Sequence, residues 1–431
     1  MKPGMKAKMD VMIVGGGGRE HALAERLARS PRIGKLCALP GNGGIAALAE
    51  CVPIPATDLD ALVAFARERA VDFAVVAPDD PLVMGLVDRL EAAGVRCFGP
   101  DARAAAIEGS KVYAKDLMRR YGIPTARYEV FDDADRALAY AAAGGPVVVK
   151  ADGLARGKGV VVAEDADQAV AAVAAIMKER IFGASGDRVL IEERLSGPEV
   201  SVLAFTDGRT IVPMVSSMDH KRAFDGDRGP NTGGMGAVAP NPHYTPELAA
   251  LCMEQILRPT VDALRSEGRP FRGCLYFGLM LTADGPKVIE YNCRFGDPEA
   301  QAVLPLLESD LFEIMLAVRE ERLAEVEVRF SPQASCCVVM ASEGYPGKVR
   351  EGMEIHIDSG LPPDTVVYHS GTRRDGETLR TAGGRVLSVT AVAPTAGEAR
   401  SRAYAGVGLI HFEGARFRHD IGTAGGLSHD A

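Results

Sequence analysis

The feature that most constrains this chain is the run Gly15-Gly16-Gly17-Gly18. It lies between the apolar stretch Val11–Val14 and a helical pattern carried by Ala22, Leu23 and Leu27. A short apolar run ended by glycines and continued at helical spacing reads as strand, turn and helix. The unit then recurs. Ile33–Leu39 reads as a second strand, closed by Pro40-Gly41-Asn42-Gly43-Gly44, and Thr57 with Asp60 reads as a capping box opening a helix through Arg69. Asp72–Ala77 reads as a third strand, Pro81–Ala92 as a helix stopped by Gly94, and Val95–Phe98 as a fourth strand. Alternating β and α units predict an α/β, doubly wound parallel sheet, whose ligands lie beyond the carboxyl ends of the strands. Gly15–Gly18, Gly41–Gly44 and Pro78-Asp79-Asp80-Pro81 all fall at those ends.

Composition narrows the class. Lys plus Arg total 49 against 58 Asp plus Glu, a net charge of −9, which argues against nucleic acid as the main partner. No stretch offers about 20 continuous apolar residues for a membrane span. The opening MKPGMKAKMD runs into VMIVGGGG without an apolar leader region, so Met1–Lys8 reads as an extension or an early start codon and the expected location is cytoplasmic. The eight cysteines are scattered apart from Cys336-Cys337 and form no CxxC pair, which predicts free thiols; the eight histidines show no zinc-ligand spacing.

Three domains are expected: 9–109, doubly wound; 110–325, with a small lid at about 122–195; and 326–425, mostly β with one helix (Gly397–Val407). Tyr121-Gly122 and Leu195-Ser196-Gly197-Pro198 read as hinges. In the middle domain a helix runs through Lys111 and Lys115. Strand signals recur at Pro146–Lys150, Gly159–Ala163, Arg188–Glu193, Val200–Phe205 and Thr210–Val215, with helical stretches near Asp165–Arg180 and Pro246–Glu267. Leu275–Leu281 and Lys287–Tyr291 read as a hairpin turning at Asp284-Gly285. The tail from Thr423 reads as disordered.

Four segments carry chemistry. Gly15–Gly18 suits an anion at a helix N-terminus, or close helix–strand packing alone. A nicotinamide dinucleotide would want an acidic residue about 20 positions on, where the chain reads Ala38-Leu39-Pro40. Lys150 to Gly159 (KADGLARGKG) reads as a glycine-rich flap over phosphates, or as a tight hairpin with solvated lysines; no Walker A sequence occurs anywhere. In Val288-Ile289-Glu290-Tyr291-Asn292 the period of two puts Glu290 and Asn292 on one face, where two oxygen ligands suit Mg²⁺ completed by substrate phosphates, or an ordinary edge strand. Arg294 follows, able to clamp a carboxylate or phosphate. Asp219-His220-Lys221-Arg222 through Gly229–Gly236 reads as one long ligand-wrapping loop.

The stretches GGGGREHALA, PGNGG, EGSK, VVVKADGLARGKGVVVA, IEERLSGPEVS, DHKRAFDGDRGPNTGGMGA and VIEYNCRFGDPEAQ occur in that order. Together they resemble the phosphoribosylamine–glycine ligase (glycinamide ribonucleotide synthetase) family of ATP-grasp enzymes in purine biosynthesis, from Met9 to about Gly422. The resemblance implies an N-terminal dinucleotide-fold-like domain, a mobile lid, an ATP-grasp body and a C-terminal mostly β domain. It implies ATP as co-substrate, held by Lys111 and Lys150, a flap of Gly153, Gly157, Lys158 and Gly159, an adenine pocket of Glu192, Glu193 and Leu195, and Glu199 at the ribose. It implies Mg²⁺ (or Mn²⁺) on Glu290 and Asn292. Asp219, Lys221, Arg222 and Arg294 would lie near glycine and the reacting centre. Gly15, Gly17, Gly18, Arg19, Glu20, Gly41, Asn42, Gly44, Asp79, Asn231, Thr232, Gly233 and Gly296 would bind substrate. The family usually has Pro-Glu-x-Pro-Leu where this chain has Pro78-Asp79-Asp80-Pro81-Leu82, one methylene shorter at Asp79; Arg156 replaces a small flap residue.

The expected partners are therefore small molecules (ATP, glycine and 5-phosphoribosylamine), without nucleic acid or membrane, in a monomer or weak homodimer. Two rivals stay open on the residues alone: an ATP-grasp ligase or carboxylase acting on another carboxylate, and a nucleotide-binding regulator without turnover. No Ser/His/Asp or Cys/His arrangement calls for a protein nucleophile.

Overall fold

The computed structural model describes residues 8–155 and 159–423. The expectations for Arg156, Gly157 and Lys158, for residues 1–7 and for the tail from 424 lie outside the described residues.

The N-terminal unit holds β1 (Met9–Gly15), α1 (Gly18–Ala28), β2 (Ile33–Pro40), β3 (Glu50–Cys51), α2 (Leu59–Glu68), β4 (Phe73–Val76), α3 (Asp79–Val83), α4 (Leu86–Ala92) and β5 (Arg96–Phe98). Its parallel sheet runs β3-β2-β1-β4-β5. Val14 pairs with Leu39 and Val76, so the strands end together and their glycine- and proline-rich turns share one edge. The two-residue β3 carries no sequence signal of its own.

Two local expectations are corrected. The cap of α2 is Asp58, whose carboxylate accepts the Ala61 N–H at 3.1 Å, so Thr57 lies one residue outside the helix. The expected helix Pro81–Ala92 is two helices, because Gly85 takes a left-handed conformation (φ +85°) that breaks the run. Asp79 thereby begins α3, at the end of the sheet.

The chain continues through α5 (Ala102–Gly109) and α6 (Lys111–Tyr121). Ser110 caps α6, accepting the Tyr113 N–H at 3.1 Å, and Gly122 (φ +67°) closes it. The next unit, β6 (Tyr128–Phe131), α7 (Ala134–Ala142), β7 (Val147–Ala151), β8 (Val160–Ala163), α8 (Ala166–Val173) and β9 (Val189–Glu193), is a separate antiparallel sheet ordered β6-β9-β7-β8. It buries its own small core, Phe131, Val149, Val173, Ile176 and Ile191 among them.

The central body follows with β10 (Glu199–Asp207), β11 (Ile211–Pro213), β12 (Met218–Asp219), β13 (Arg222–Phe224), β14 (Arg228–Asn231), β15 (Gly236–Ala239), α9 (Pro246–Cys252), α10 (Arg258–Ser266), β16 (Arg272–Thr282), β17 (Gly285–Asn292), α11 (Glu299–Val303) and α12 (Leu311–Arg319). Its sheet is β11-β10-β16-β17. Residues 219–236, expected to form one long loop, are instead the hairpin β13–β14 flanked by β12 and β15. The central body shares two cores with the N-terminal sheet, one of them containing the aromatic group Phe98, Phe205 and Phe295. Sheet and body are thus one packed piece.

The last part comprises β18 (Ala334–Ala341), β19 (His356–Ile357), β20 (Thr365–His369), β21 (Thr372–Asp375), β22 (Thr378–Thr381), β23 (Arg385–Ala393), α13 (Ala396–Val407) and β24 (Ile410–His411). Its main sheet runs β12-β15-β18-β23-β20, so residue 326 does not divide the sheets. Two strands come from the segment expected to wrap ligand. All eight cysteines are free thiols, and among the described residues no helix is long and apolar enough to cross a membrane.

Candidate active site

The cleft between the four-stranded lid and the central body is lined with lysines gathered around carboxylates. On the lid, Lys150 donates to Glu192 Oε2 at 3.0 Å and to the Ile289 carbonyl at 3.1 Å. Lys115, from α6, reaches the same Glu192 oxygen at 3.0 Å. Burial, with Lys150 adjacent, pushes the Lys115 ammonium down to about 8 despite the opposing pull of Glu192. Lys111 donates to the Gly153 carbonyl at 3.1 Å and is held below the usual lysine range by burial, with the Lys150 charge adding to it.

The carbonyl that Lys150 finds is released by a β-bulge. Gly278 pairs with Glu290 and Leu279 with Val288, which leaves Ile289 as the extra residue. The simple alternation read along Val288–Asn292 is therefore interrupted, and Val288 and Tyr291 are both buried. Glu290 and Asn292 still share a face, because the bulge precedes both.

Glu290 is the electrostatic centre. Lys221 lies 3.6 Å from it and 2.9 Å from Glu199. Burial pushes the Glu290 carboxyl up, but Lys221, Lys150, Lys111 and Arg294 outweigh that and hold it below its ordinary value. Arg294 lies 3.1 Å from Glu108 and 4.0 Å from Asp79. Glu108 in turn accepts the Cys293 N–H at 2.7 Å. Asp79 is kept below the carboxylate range by Arg294 and Arg19 against the effect of burial.

A second cluster adjoins the first. Asp219 is raised well above its usual value by burial and by the Glu299 charge, and its Oδ1 has no hydrogen-bond partner among the described residues. Thr232 clamps Lys221, its N–H and hydroxyl both donating to the Lys221 carbonyl at 2.8 and 2.9 Å. Gly233 donates its N–H to the Tyr345 hydroxyl, and Arg385 reaches the Gly233 carbonyl at 2.5 Å and Asp297 Oδ1 at 3.2 Å. Gly296 leaves room for the Glu299 carboxylate, which a Cβ there would strike.

The glycine loops meet as expected, and several of their backbone donors are engaged. The Gly17 N–H donates to Glu20 Oε2 at 2.5 Å and the Arg19 N–H to Asp297 Oδ2 at 3.3 Å. A Cβ on Gly16 would overlap the Gly41 carbonyl, and one on Gly18 would overlap Gln301 and Ser370. Close packing is thus the role these glycines visibly perform. The Gly15 carbonyl accepts the Gly41 N–H, and the Gly44 and Ile45 N–H groups donate to Asn42 Oδ1 at 2.9 Å each.

Three expected residues stand apart from the cluster. Arg222 donates to the Gly229 carbonyl at 2.8 Å within its own hairpin, opposite Asn231. The Glu193 carboxylate is taken by Arg127, through its N–H at 2.9 Å and Nε at 2.7 Å. Leu195 lies half-buried in the segment between β9 and β10. Gly159 closes the base of the flap by accepting the Ala151 N–H at 2.8 Å. Sequence reasoning missed Glu108, Asp297 and Glu299, although all three lie inside or beside motifs it quoted, and missed Arg385 and Lys115. Arg385 had no signal: it is 88 residues from Asp297, and only β23 brings it there.

Glu290 and Asn292 fit a hard divalent cation. Glu290 is anionic, and Asn292 Nδ2 donates to the Tyr291 carbonyl at 2.6 Å, so its Oδ1 faces outward as an acceptor. Among the described residues no group of three His, Cys, Asp or Glu could hold a metal. Two protein oxygens plus nucleotide phosphates is the arrangement Mg²⁺ favours.

Two antiparallel sheets, β6-β9-β7-β8 and β11-β10-β16-β17, flanking a lysine-lined cleft beside a doubly wound N-terminal sheet define an ATP-grasp enzyme. Models of the phosphoribosylglycinamide synthetase family match residues 9–108 (N domain), 109–300 (ATP-grasp (A) domain) and 335–424 (C domain). The chain belongs to the phosphoribosylglycinamide synthetase family. It is 49% identical over 416 residues to the phosphoribosylamine–glycine ligase of Halalkalibacterium halodurans, covering 96% of this chain and 97% of that protein. It matches the crystal structure of phosphoribosylamine–glycine ligase from Thermotoga maritima with a TM-score of 0.84 at 34% identity, covering 96% of this chain and 100% of that one. The biotin carboxylase domain of Hydrogenobacter thermophilus 2-oxoglutarate carboxylase superposes with a TM-score of 0.74 at 16% identity, over 96% and 92% of the two chains, a likeness of fold alone.

Proposed function

We propose that this chain ligates glycine to 5-phosphoribosylamine, giving glycinamide ribonucleotide, ADP and phosphate, an early step of purine biosynthesis. The observation that carries the reading is the convergence of Lys111, Lys150, Lys221 and Arg294 on Glu290, in a family member whose similarity spans nearly the whole chain.

The chemistry follows from what glycine lacks. Its carboxylate is a poor acyl donor, because oxide is a bad leaving group. Transfer of the γ-phosphoryl group gives glycyl phosphate and ADP; the sugar amine then attacks the acyl carbon and expels phosphate. No protein nucleophile is required, so the work is positioning and charge stabilisation. Lys111 and Lys150 would hold phosphates, with the flap of Gly153, Gly157, Lys158 and Gly159 above them. Glu192, Glu193 and Leu195 would line the adenine site, the last two through backbone or shape, since the Glu193 carboxylate is engaged. Glu199 would meet the ribose. Glu290 and Asn292 would hold Mg²⁺ or Mn²⁺, which neutralises phosphate charge when bound.

Asp219, Lys221 and Arg294 would face glycine and the reacting centre, with Thr232 holding Lys221 through its backbone carbonyl. Arg222 joins them only by rearrangement of its hairpin. Asp79, Arg19 and the two glycine loops would bound the sugar. Division into 9–109, 110–325 and 326–425, a cytoplasmic location, and action as a monomer or weak homodimer without nucleic-acid or membrane partners belong to the same reading.

The test supplies Mg-ATP, glycine and freshly generated phosphoribosylamine, omitting each in turn. ADP and glycinamide ribonucleotide should appear together and only in the complete mixture. AMP with pyrophosphate, or ADP release driven by a different carboxylate such as bicarbonate, would sink the proposal.

A further inference from the structure

A substrate carrying a 5′-phosphate needs a cationic seat, and several backbone donors of the glycine loops are already taken. The Gly17 and Arg19 N–H groups already meet carboxylates of Glu20 and Asp297, which would repel a phosphate at the start of α1. On the second loop the Gly41 N–H donates to the Gly15 carbonyl and the Gly43 N–H to the Thr372 carbonyl, both at 3.1 Å. Asn42 spends its amide on the Gly16 and His369 carbonyls at 3.0 and 2.7 Å.

Most nearby cations are also spoken for. Arg19 lies 2.7 Å from Glu20 and donates to the Phe295 carbonyl at 2.8 Å. Arg294 is shared by Glu108 and Asp79, and Arg385 is held by Asp297. Arg374 differs. It projects from β21 of the C-terminal domain and donates only Nε, to the Gly43 carbonyl at 3.1 Å. Among the described residues no carboxylate pairs with it, so both Nη groups stay free, in a fork suited to two phosphate oxygens. Ser370, from the same domain, lies against Gly18, and its hydroxyl makes no hydrogen bond among the described residues.

We propose that Arg374 binds the 5′-phosphate of the sugar substrate, with the Ser370 hydroxyl as a second donor. The C-terminal domain thereby completes a substrate pocket otherwise built from the N-terminal sheet. This rests on the function proposed above and adds the residue that selects a phosphorylated sugar.

The experiment compares phosphoribosylamine with ribosylamine, which lacks the phosphate, in the wild type, Arg374→Ala, Arg374→Lys and Arg373→Ala. Loss of one charge-assisted contact predicts a KM for phosphoribosylamine roughly 10- to 100-fold higher in Arg374→Ala, with the KM values for ATP and glycine unchanged. The preference for the phosphorylated sugar should shrink by the same factor, because ribosylamine never used that contact. Arg374→Lys should recover part of the loss. Arg373, its strand neighbour on the opposite face, should tolerate alanine. An Arg374→Ala enzyme, or the Lys variant if alanine fails to fold, that keeps the full wild-type preference overturns the assignment. A wild type that makes no glycinamide ribonucleotide overturns the proposed function, and the inference with it, before any variant is compared.

Discussion

Glu290→Gln is the most telling substitution, because it removes a charge while keeping shape. Lys221 lies 3.6 Å from the carboxylate, a Coulomb attraction of about 5 kcal/mol at an effective dielectric near 20. Solvent reaches both side chains, 35% exposed for Glu290 and 33% for Lys221, so the stabilisation at stake is about 2 kcal/mol or less. Lys221 keeps Glu199 at 2.9 Å, and the backbone pairing of β17 does not involve the carboxylate. The fold should therefore survive, with Tm within a few degrees of wild type.

Catalysis should not survive so well. Removing one preorganised charge at the phosphoryl-transfer site costs on the order of 10²- to 10³-fold in kcat, about 3–4 kcal/mol. Losing a negative charge among four cations leaves nucleotide binding undiminished, so KM for ATP should stay level or fall while the Mg²⁺ needed for half-maximal rate rises. The assay is glycine-dependent ADP release at saturating Mg-ATP across a Mg²⁺ titration. A kcat within threefold of wild type with an unchanged Mg²⁺ dependence would refute the metal assignment.

Asp79→Ala should raise KM for phosphoribosylamine about tenfold and leave those for ATP and glycine nearly unchanged; an equal effect on all three in steady-state kinetics would mean a purely structural role at the strand end. Glu108→Gln should lower kcat/KM by roughly 10- to 100-fold, since it keeps an acceptor for the Cys293 N–H but removes the charge that orients Arg294. Glu108→Ala, which also orphans that N–H, should in addition lower Tm, and identical Tm values for the two variants would contradict the hydrogen-bond argument. His21 and His369, buried where the N- and C-terminal units meet, are pushed down to about 3 and about 4 by burial, with the His369 and Arg374 charges respectively contributing. Both are neutral when folded, so the unfolded chain binds the extra protons; the stability they carry is complete above pH 6.5 and falls as pH drops toward 4. At pH 5 each costs about 2 kcal/mol, and thermal melts from pH 7.5 to 5 should show Tm falling steeply, an effect that a His369→Asn variant reduces.

The sequence by itself determined what depends on neighbours along the chain. Apolar runs and glycine breaks located the parallel sheet, most strands of the small antiparallel sheet β6-β9-β7-β8 and the β16–β17 hairpin, because strand and helix periods are local properties. Motif order along nearly the whole length identified the family, and period-two spacing put Glu290 and Asn292 on one face. Only the tertiary structure decided which charges meet. The bulge at Ile289, which supplies a carbonyl to Lys150, depends on cross-strand register. The hairpin β13–β14, read as a loop, exists because its flanking strands join a sheet whose other members lie about a hundred residues on. Arg385 on Asp297, Arg374 on Gly43 and Lys115 on Glu192 are likewise meetings of distant segments. Charge acts through space, and the folded packing alone sets those distances.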